Sequence, residues 1–228
     1  MKFALAGQNI GHSLSPQLFA SWCDGRWSYE LVDCADFEQA WQKFLSDYKA
    51  INITAPFKEE AFRKALALAD ASGRTELVGE QVRGIGAANI LVKTAKGIAA
   101  YNSDYLAVKE IISEVFTAHP DFRSIAVVGL GGAGKAAVAA AGDYAAEDGG
   151  HMRVTALHHD EIAGGLESDL VIFTLPRKAA GCDDIRCKVL LEANYRDPVF
   201  GPCGRFEYLG GLVWLQKQAE AGFPLMIA

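Results

Sequence analysis

The sequence is poor in residues that staple a fold or coordinate metal. Its 228 residues include five cysteines: Cys23, Cys34, Cys182, Cys187 and Cys203. The number is odd and no CxxC pair occurs, which argues against a disulfide framework and against a paired-cysteine zinc site. The thiols read as reduced groups packed like small apolar side chains. Positive charge is in deficit, with 22 Lys+Arg against 28 Asp+Glu and a net charge of −6. Such a chain lacks the basic field that draws proteins to phosphate backbones, so no nucleic-acid partner is expected. Long apolar runs are missing as well. The N-terminal run stops at Gly7, too early for a signal-peptide core, and nothing approaches the ~18 residues of a membrane span. A soluble cytoplasmic protein with no membrane partner is expected.

The composition that is present is ordinary for a globular chain, 50% hydrophobic and 22% charged, which excludes a collagen, a coiled coil and a disordered tail. Short apolar runs at residues 2–6, 29–33, 50–53, 125–128, 154–157, 170–173 and 189–192 predict strands. Asn89–Lys93 and Gly97–Ala100 predict a hairpin-like pair. Helices are predicted from Ser15, with Ser as N-cap and Pro16 at the first helical position, and over about 36–48, 58–71, 105–116 and 211–222. Alternation of strands and helices argues an α/β fold. The segment 117–124, which contains Pro120, is the linker candidate.

After the strand 125–128 the chain reads Gly129-Leu130-Gly131-Gly132-Ala133-Gly134-Lys135-Ala136. A G-x-G-x-x-G set between a strand and a helix gives a tight turn, a backbone open to a pyrophosphate and a helix N-terminus whose N–H groups attract anions. The same residues fit G-x-x-x-x-G-K, but Ala136 stands where a nucleotide triphosphatase loop needs Ser or Thr for magnesium. A plain strand–helix turn is the third reading.

Three polar clusters precede this loop. In His12-Ser13-Leu14-Ser15-Pro16 the two hydroxyls, two residues apart in an extended segment, point to one side. Helix capping accounts for only one of them. Asn52-Ile53-Thr54-Ala55-Pro56-Phe57-Lys58 puts Asn and Thr at a strand end and a cation at a helix start, where it opposes the macrodipole. Either a solvated lysine or a functional one fits. Gly86-Ala87-Ala88-Asn89 and Tyr101-Asn102-Ser103-Asp104 place amides and a carboxylate at the ends of the hairpin, which turn chemistry alone also permits.

In this order the clusters resemble the shikimate dehydrogenase family. HSLSP is similar to its Ser-x-Ser-Pro segment, NITAPFK to Asn-Val-Thr-x-Pro-x-Lys, GAANIL to Gly-Ala-x-Asn-Thr and YNSD to Asn-Thr-Asp. VVGLGGAGKA resembles its cofactor loop, NYRDP a loosened Tyr-x-Pro segment, and GLVWLQKQAEAGF its closing helix with a substrate-binding Gln. The resemblance implies an α/β protein of two domains. A substrate and catalytic domain with a mostly parallel sheet would occupy 1–104, completed by 206–228, whose last helix packs back on it; a truncated Rossmann-like dinucleotide-binding domain would occupy 105–205. It implies reversible reduction of 3-dehydroshikimate to shikimate with NADP, or NAD as the alternative. Lys58 and Asp104 would be catalytic. Ser13, Ser15, Thr54, Asn89, Tyr195 and Gln218 would bind substrate. Gly129, Gly131, Gly132, Ala133, Gly134, Lys135, His158 and His159 would bind cofactor, with no metal involved and a monomer or homodimer as the working state.

The chain also departs from the family. Members follow the second Rossmann strand with Asn-Arg-Thr; here it runs into His158-His159-Asp160 with no Arg, and a carboxylate at a second-strand end favours the free ribose hydroxyls of NAD, while either histidine could contact a phosphate or belong to a polar surface turn. Only ten residues, His159–Ser168, precede the next strand as read, whereas a parallel crossover takes about a dozen or more. Leu175-Pro176 replaces Thr-Ser, and 196–210 is short. Two alternatives therefore stand beside the dehydrogenase: an enzyme of quinate or other substrate preference, and a non-catalytic shikimate-binding relative with a weakened cofactor site.

Overall fold

The computed structural model describes residues 1–228, which divide into two units, Met1–Ser103 with Gln218–Ala228, and Asp104–Lys217.

The first unit is built from β1 (Lys2–Gly7), α1 (Ser15–Trp22), β2 (Ser28–Asp33), α2 (Phe37–Asp47), β3 (Ala50–Ile53), α3 (Lys58–Ala71), α4 (Glu80–Ile85), β4 (Ile90–Thr94) and β5 (Gly97–Tyr101). The sheet runs β2-β1-β3-β4-β5. β2, β1 and β3 are parallel; β4 and β5 form the antiparallel hairpin. The pleat sends alternate side chains of β1 to opposite faces. Ala4 and Ala6 join Phe37, Trp41 and Phe44 of α2 and Ala61, Ala65 and Ala69 of α3. Phe3 joins Phe19 of α1 and Ala219, Phe223 and Met226 of the last helix. Alanines at every fourth position of α3 let that helix lie close on the sheet. Burying each large side chain stabilises by roughly 1.5–3 kcal/mol. Asp36 caps α2, accepting the Gln39 N–H at 2.9 Å, worth about 1 kcal/mol.

The N-cap expectation for α1 is corrected. Leu14 is the cap residue and makes no side-chain bond, Ser15 is the first helical residue, and Ser13 Oγ accepts the Ser15 N–H at 3.2 Å. The serine just before the cap residue does that work, which frees Ser15 for other contacts.

The second unit holds α5 (Ser103–Ala118) from Asp104 onward, β6 (Ser124–Val128), α6 (Gly132–Glu147), β7 (Arg153–Leu157), β8 (Leu166–Phe173), β9 (Ile185–Glu192), β10 (Glu207–Leu209) and α7 (Gly211–Ile227) as far as Lys217. Its five strands are all parallel, in the order β10-β9-β8-β6-β7. Residues 206–217, grouped with the first domain in the sequence reading, thus fall in the second unit, since β10 pairs with β9. A doubly wound dinucleotide fold has the order 3-2-1-4-5-6. With β6 as strand 1 and β7 as strand 2, the neighbour across β6 is β8, so strand 3 and its helix are absent. Residues 158–165 bridge β7 to β8 as turns alone. Ile162 of this bridge is fully buried with Ala126, Val128, Val171 and Phe173, one side chain covering sheet that a crossover helix would otherwise cover.

Candidate functional site

In the first unit, buried and half-buried polar side chains form one hydrogen-bonded series. Ser13 Oγ donates to Ser15 Oγ at 3.1 Å. Ser15 in turn bonds the hydroxyl of Tyr29, which donates to Asn52 Oδ1 at 2.7 Å. Asn52 Nδ2 donates to the Asn89 carbonyl at 3.3 Å. Asn89 Nδ2 donates to Ser103 Oγ at 3.1 Å and to Gln218 Oε1 at 3.3 Å, and its Oδ1 accepts the Ser103 N–H at 2.8 Å. Of the sequence-predicted residues, Ser13, Ser15, Asn89 and Gln218 belong to the series. Tyr29 and Ser103 are links that sequence reasoning missed.

Local structure explains the placement. The Asp33 carboxylate at the end of β2 accepts the N–H groups of Asn9 and Ile10 at 3.0 and 3.1 Å. Asn9 takes φ 56, a left-handed value that Asn tolerates. That turn delivers Ser13 and Ser15, 9% and 6% exposed, to the site. Asn52 and Thr54 lie on and just after β3, whose register pairs Leu5 with Asn52. A side chain at Gly7 would collide with the Thr54 methyl. Lys58, half-buried, is the first residue of α3, and its carbonyl accepts the Ala88 N–H at 2.9 Å, joining the helix start to the segment before Asn89. Glu59 and Glu60 supply the negative charge that the first turn favours. Burial pushes the Tyr29 phenol well above its ordinary value, with the Ser15 bond pulling the other way. The hydroxyl therefore stays protonated and remains a donor. Hydroxyls and amides of this kind match the donors and acceptors of a polyhydroxylated acid.

In the second unit the glycine loop has the geometry of an anion cradle. Gly129 has φ +93, and a Cβ there would lie 2.6 Å from Thr174 Oγ1. A Cβ on Gly134 would run into the Gly129 carbonyl. Thr174 holds the turn by donating to the carbonyls of Val128 and Gly129, both at 3.0 Å. Gly131 is the N-cap of α6 without a side-chain bond, and no acidic residue occupies the first turn. Backbone N–H groups of Gly132, Ala133 and Gly134 thus suit a phosphate, and Lys135 follows them. The pyrophosphate part of a dinucleotide fits these residues.

The remaining predicted residues of this unit are spread over several elements. Asp104, 4% exposed, accepts the Trp214 Nε1 proton at 3.1 Å. Tyr195 sits half-buried in the loop after β9. That loop is anchored by Glu192, fully buried, which accepts the N–H of Val199 at 2.5 Å, that of Phe200 at 3.1 Å and the Tyr208 hydroxyl at 2.8 Å. His158 and His159 are both exposed, just after the end of β7. Thr174, Glu192 and Trp214 escaped the sequence reading because each lies in an apolar stretch with no recognisable spacing.

Comparison with known proteins places these observations. Residues 5–91 match the shikimate dehydrogenase substrate binding domain. A shikimate dehydrogenase (NADP(+)) of Caldicellulosiruptor saccharolyticus is 33% identical over 146 residues, 60% of this chain and 48% of that protein. One of Chromohalobacter salexigens is 36% identical over 89 residues, 36% of this chain and 33% of that protein. The matched stretch spans about half or less of these relatives. Among solved structures, shikimate 5-dehydrogenase of Thermus thermophilus, in complex with NADP(H) and shikimate, superposes with a TM-score of 0.70 at 19% identity, covering 99% of this chain and 92% of that one. The Ael1 enzyme of Pseudomonas putida gives 0.69 at 23% identity, covering 98% and 92%. At such identities the likeness is one of fold, and it extends over both units.

Proposed function

We propose, from the shikimate dehydrogenase substrate-binding domain that residues 5–91 carry, that the chain reversibly reduces 3-dehydroshikimate to shikimate with a nicotinamide dinucleotide. NADP is the form in the names of the relatives and NAD the alternative. The observation that carries the reading is the hydrogen-bonded series from Ser13 to Gln218, a row of hydroxyls and amides inside the matched domain and the helix that closes its unit.

The bound nicotinamide supplies hydride. Ser13 and Ser15 hold the substrate carboxylate with two neighbouring hydroxyl donors, and Thr54, Asn89, Tyr195 and Gln218 take the ring hydroxyls. Lys58 gives the carbonyl oxygen its proton and places positive charge beside it as negative charge develops. Asp104 is the carboxylate of the acid–base pair, oriented by the Trp214 N–H. The enzyme works as a monomer or homodimer in the cytoplasm, a setting supported by five cysteines without a close pair. No helix is long and apolar enough to cross a membrane.

The test is a steady-state assay of shikimate and quinate against NADP and NAD. Turnover of shikimate with either cofactor supports the reading, and its absence with both rejects it. A second reading, a shikimate-binding protein without dehydrogenase activity, is favoured by the missing third strand and crossover helix of the second sheet. Shikimate binding by a chain that binds neither cofactor at millimolar concentration would establish it.

A further inference from the structure

The strand that meets the adenosine end of a dinucleotide is the second of the fold, here β7, and it is an edge strand paired with β6 alone. The chain leaves it through His158-His159-Asp160-Glu161. This turn is ordered by a carboxylate: Glu161 Oε2 accepts the His158 N–H at 2.6 Å, and the Glu161 N–H returns to the His158 carbonyl at 3.2 Å. A carboxylate therefore stands at the carboxyl end of the second strand, where an acidic group accepts from the ribose hydroxyls of NAD. A 2′-phosphate in that place needs a cation, whereas the turn itself carries Asp160 and Glu161 beside its two histidines. Arg153 lies at the opposite end of β7, in register with Ser124. Lys178 is committed to Asp183 at 2.7 Å. Arg177 follows β8, which is separated from β7 by β6. No third strand or crossover helix lies beside β7.

We infer that Glu161 reads the adenosine ribose and that the chain takes a dinucleotide with a free 2′-hydroxyl, NAD(H), in preference to its 2′-phosphorylated form. This rests on the dinucleotide reading of the glycine loop and departs from the NADP of the relatives' names. One Glu161 oxygen is held by the strand end, which leaves the other to accept from ribose. A 2′-phosphate would set its negative charge against Glu161 and Asp160, and like-charge contacts of this kind discriminate strongly.

The experiment is calorimetric titration of the full chain with NADH and with NADPH, in wild type and in Glu161→Gln. The amide keeps an oxygen for the His158 N–H and removes the charge, so the turn is preserved. NADH is expected to bind at least about tenfold more tightly than NADPH in wild type, with the ratio falling to within about threefold in the variant. Equal or tighter NADPH binding in wild type overturns the inference and leaves the dinucleotide reading standing, as does an unchanged ratio in Glu161→Gln. Binding of neither dinucleotide overturns both.

Discussion

The hydroxyl of Tyr29 donates to Asn52 Oδ1 at 2.7 Å and bonds Ser15 as well, so a residue of β2 joins the serine pair to the amides of β3 and the hairpin. Neighbouring parallel strands produce the link: β2 and β3 flank β1, with Tyr29 opposite Phe3 and Asn52 opposite Leu5. Tyr29→Phe keeps the ring, which stacks tilted on Phe19 at 4.8 Å, and deletes only the hydroxyl. Asn52 then loses a donor in a buried setting, at a cost of about 1–3 kcal/mol. The expected outcome is a lower urea midpoint and a raised KM for shikimate with kcat changed less, read by denaturation and steady-state kinetics. An unchanged KM would remove Tyr29 from substrate positioning.

Lys58→Ala tests the proton-donor role proposed for this residue. Its side chain is half-buried at the start of α3 and its backbone is held by Ala88, so truncation leaves the helix in place. Turnover is expected to fall about 10²–10⁴-fold, the usual range for loss of a general acid. Circular dichroism and shikimate binding should change little. Unaltered turnover would refute the assigned role.

Much of this arrangement is legible in the sequence, and the gaps have physical causes. The run Ile125–Val128 followed by glycines announces a buried strand and a tight turn, because only a residue without Cβ fits beside Thr174 and beneath α6. Ser13, Thr54 and Asn89 stand out as polar groups at the ends of apolar segments, whereas Gln218, inside α7, is reached only through the family resemblance. Tyr29 does not, since an aromatic inside a strand pattern reads as β propensity. Its role depends on two strand registers that no local spacing encodes. β8 and β9 are longer than their apolar runs. Their N-terminal halves hold Asp169 and Lys188, which pair at 3.0 Å across the strands, and Glu167 and Arg186, which share a register position. Cross-strand charge takes the place of apolar alternation there. β10 has three residues, and α4 has six including Gly84, too short for a periodic signal.

Glu192 is expected to dominate the stability of the loop after β9. Glu192→Ala leaves two N–H groups and the Tyr208 hydroxyl without their acceptor inside the protein. At roughly 1–3 kcal/mol for each group left without a partner, about 3 kcal/mol or more should be lost. Chemical denaturation measures it. A loss below about 1 kcal/mol would mean that water replaces the carboxylate.

The cysteines should separate cleanly by reactivity. Cys203 is exposed, and its hydrogen bond from Arg205 holds the thiol below its ordinary range. Burial pushes Cys187 up to about 12. Cys23, Cys34 and Cys182 are buried. Since the thiolate is the nucleophile, limited iodoacetamide at near-neutral pH is expected to label Cys203 first by mass spectrometry. Arg205→Ala raises the Cys203 pKa and so lowers its thiolate fraction at that pH, slowing the labelling. Faster labelling of Cys187 would contradict the assignment.

Gly134→Ala tests the glycine loop apart from the hydrogen-bonded series of the first unit. The added methyl meets the carbonyl of Gly129, a backbone atom held from the other side by Thr174, so the turn itself must open. Opening moves the N–H groups at the start of α6 that are proposed to take the phosphates, and α6 starts from a displaced first turn. Dinucleotide affinity is expected to fall by about tenfold or more, since one well-placed charge-assisted bond to an anion is worth about 1.5 kcal/mol or more. The first unit keeps its hydrogen-bonded series, because Ser13, Tyr29, Asn52, Asn89 and Gln218 all lie outside Asp104–Lys217. Shikimate binding measured without cofactor should therefore match wild type. Undiminished dinucleotide affinity would show that the loop is a structural turn and that the cofactor, if held, is held elsewhere.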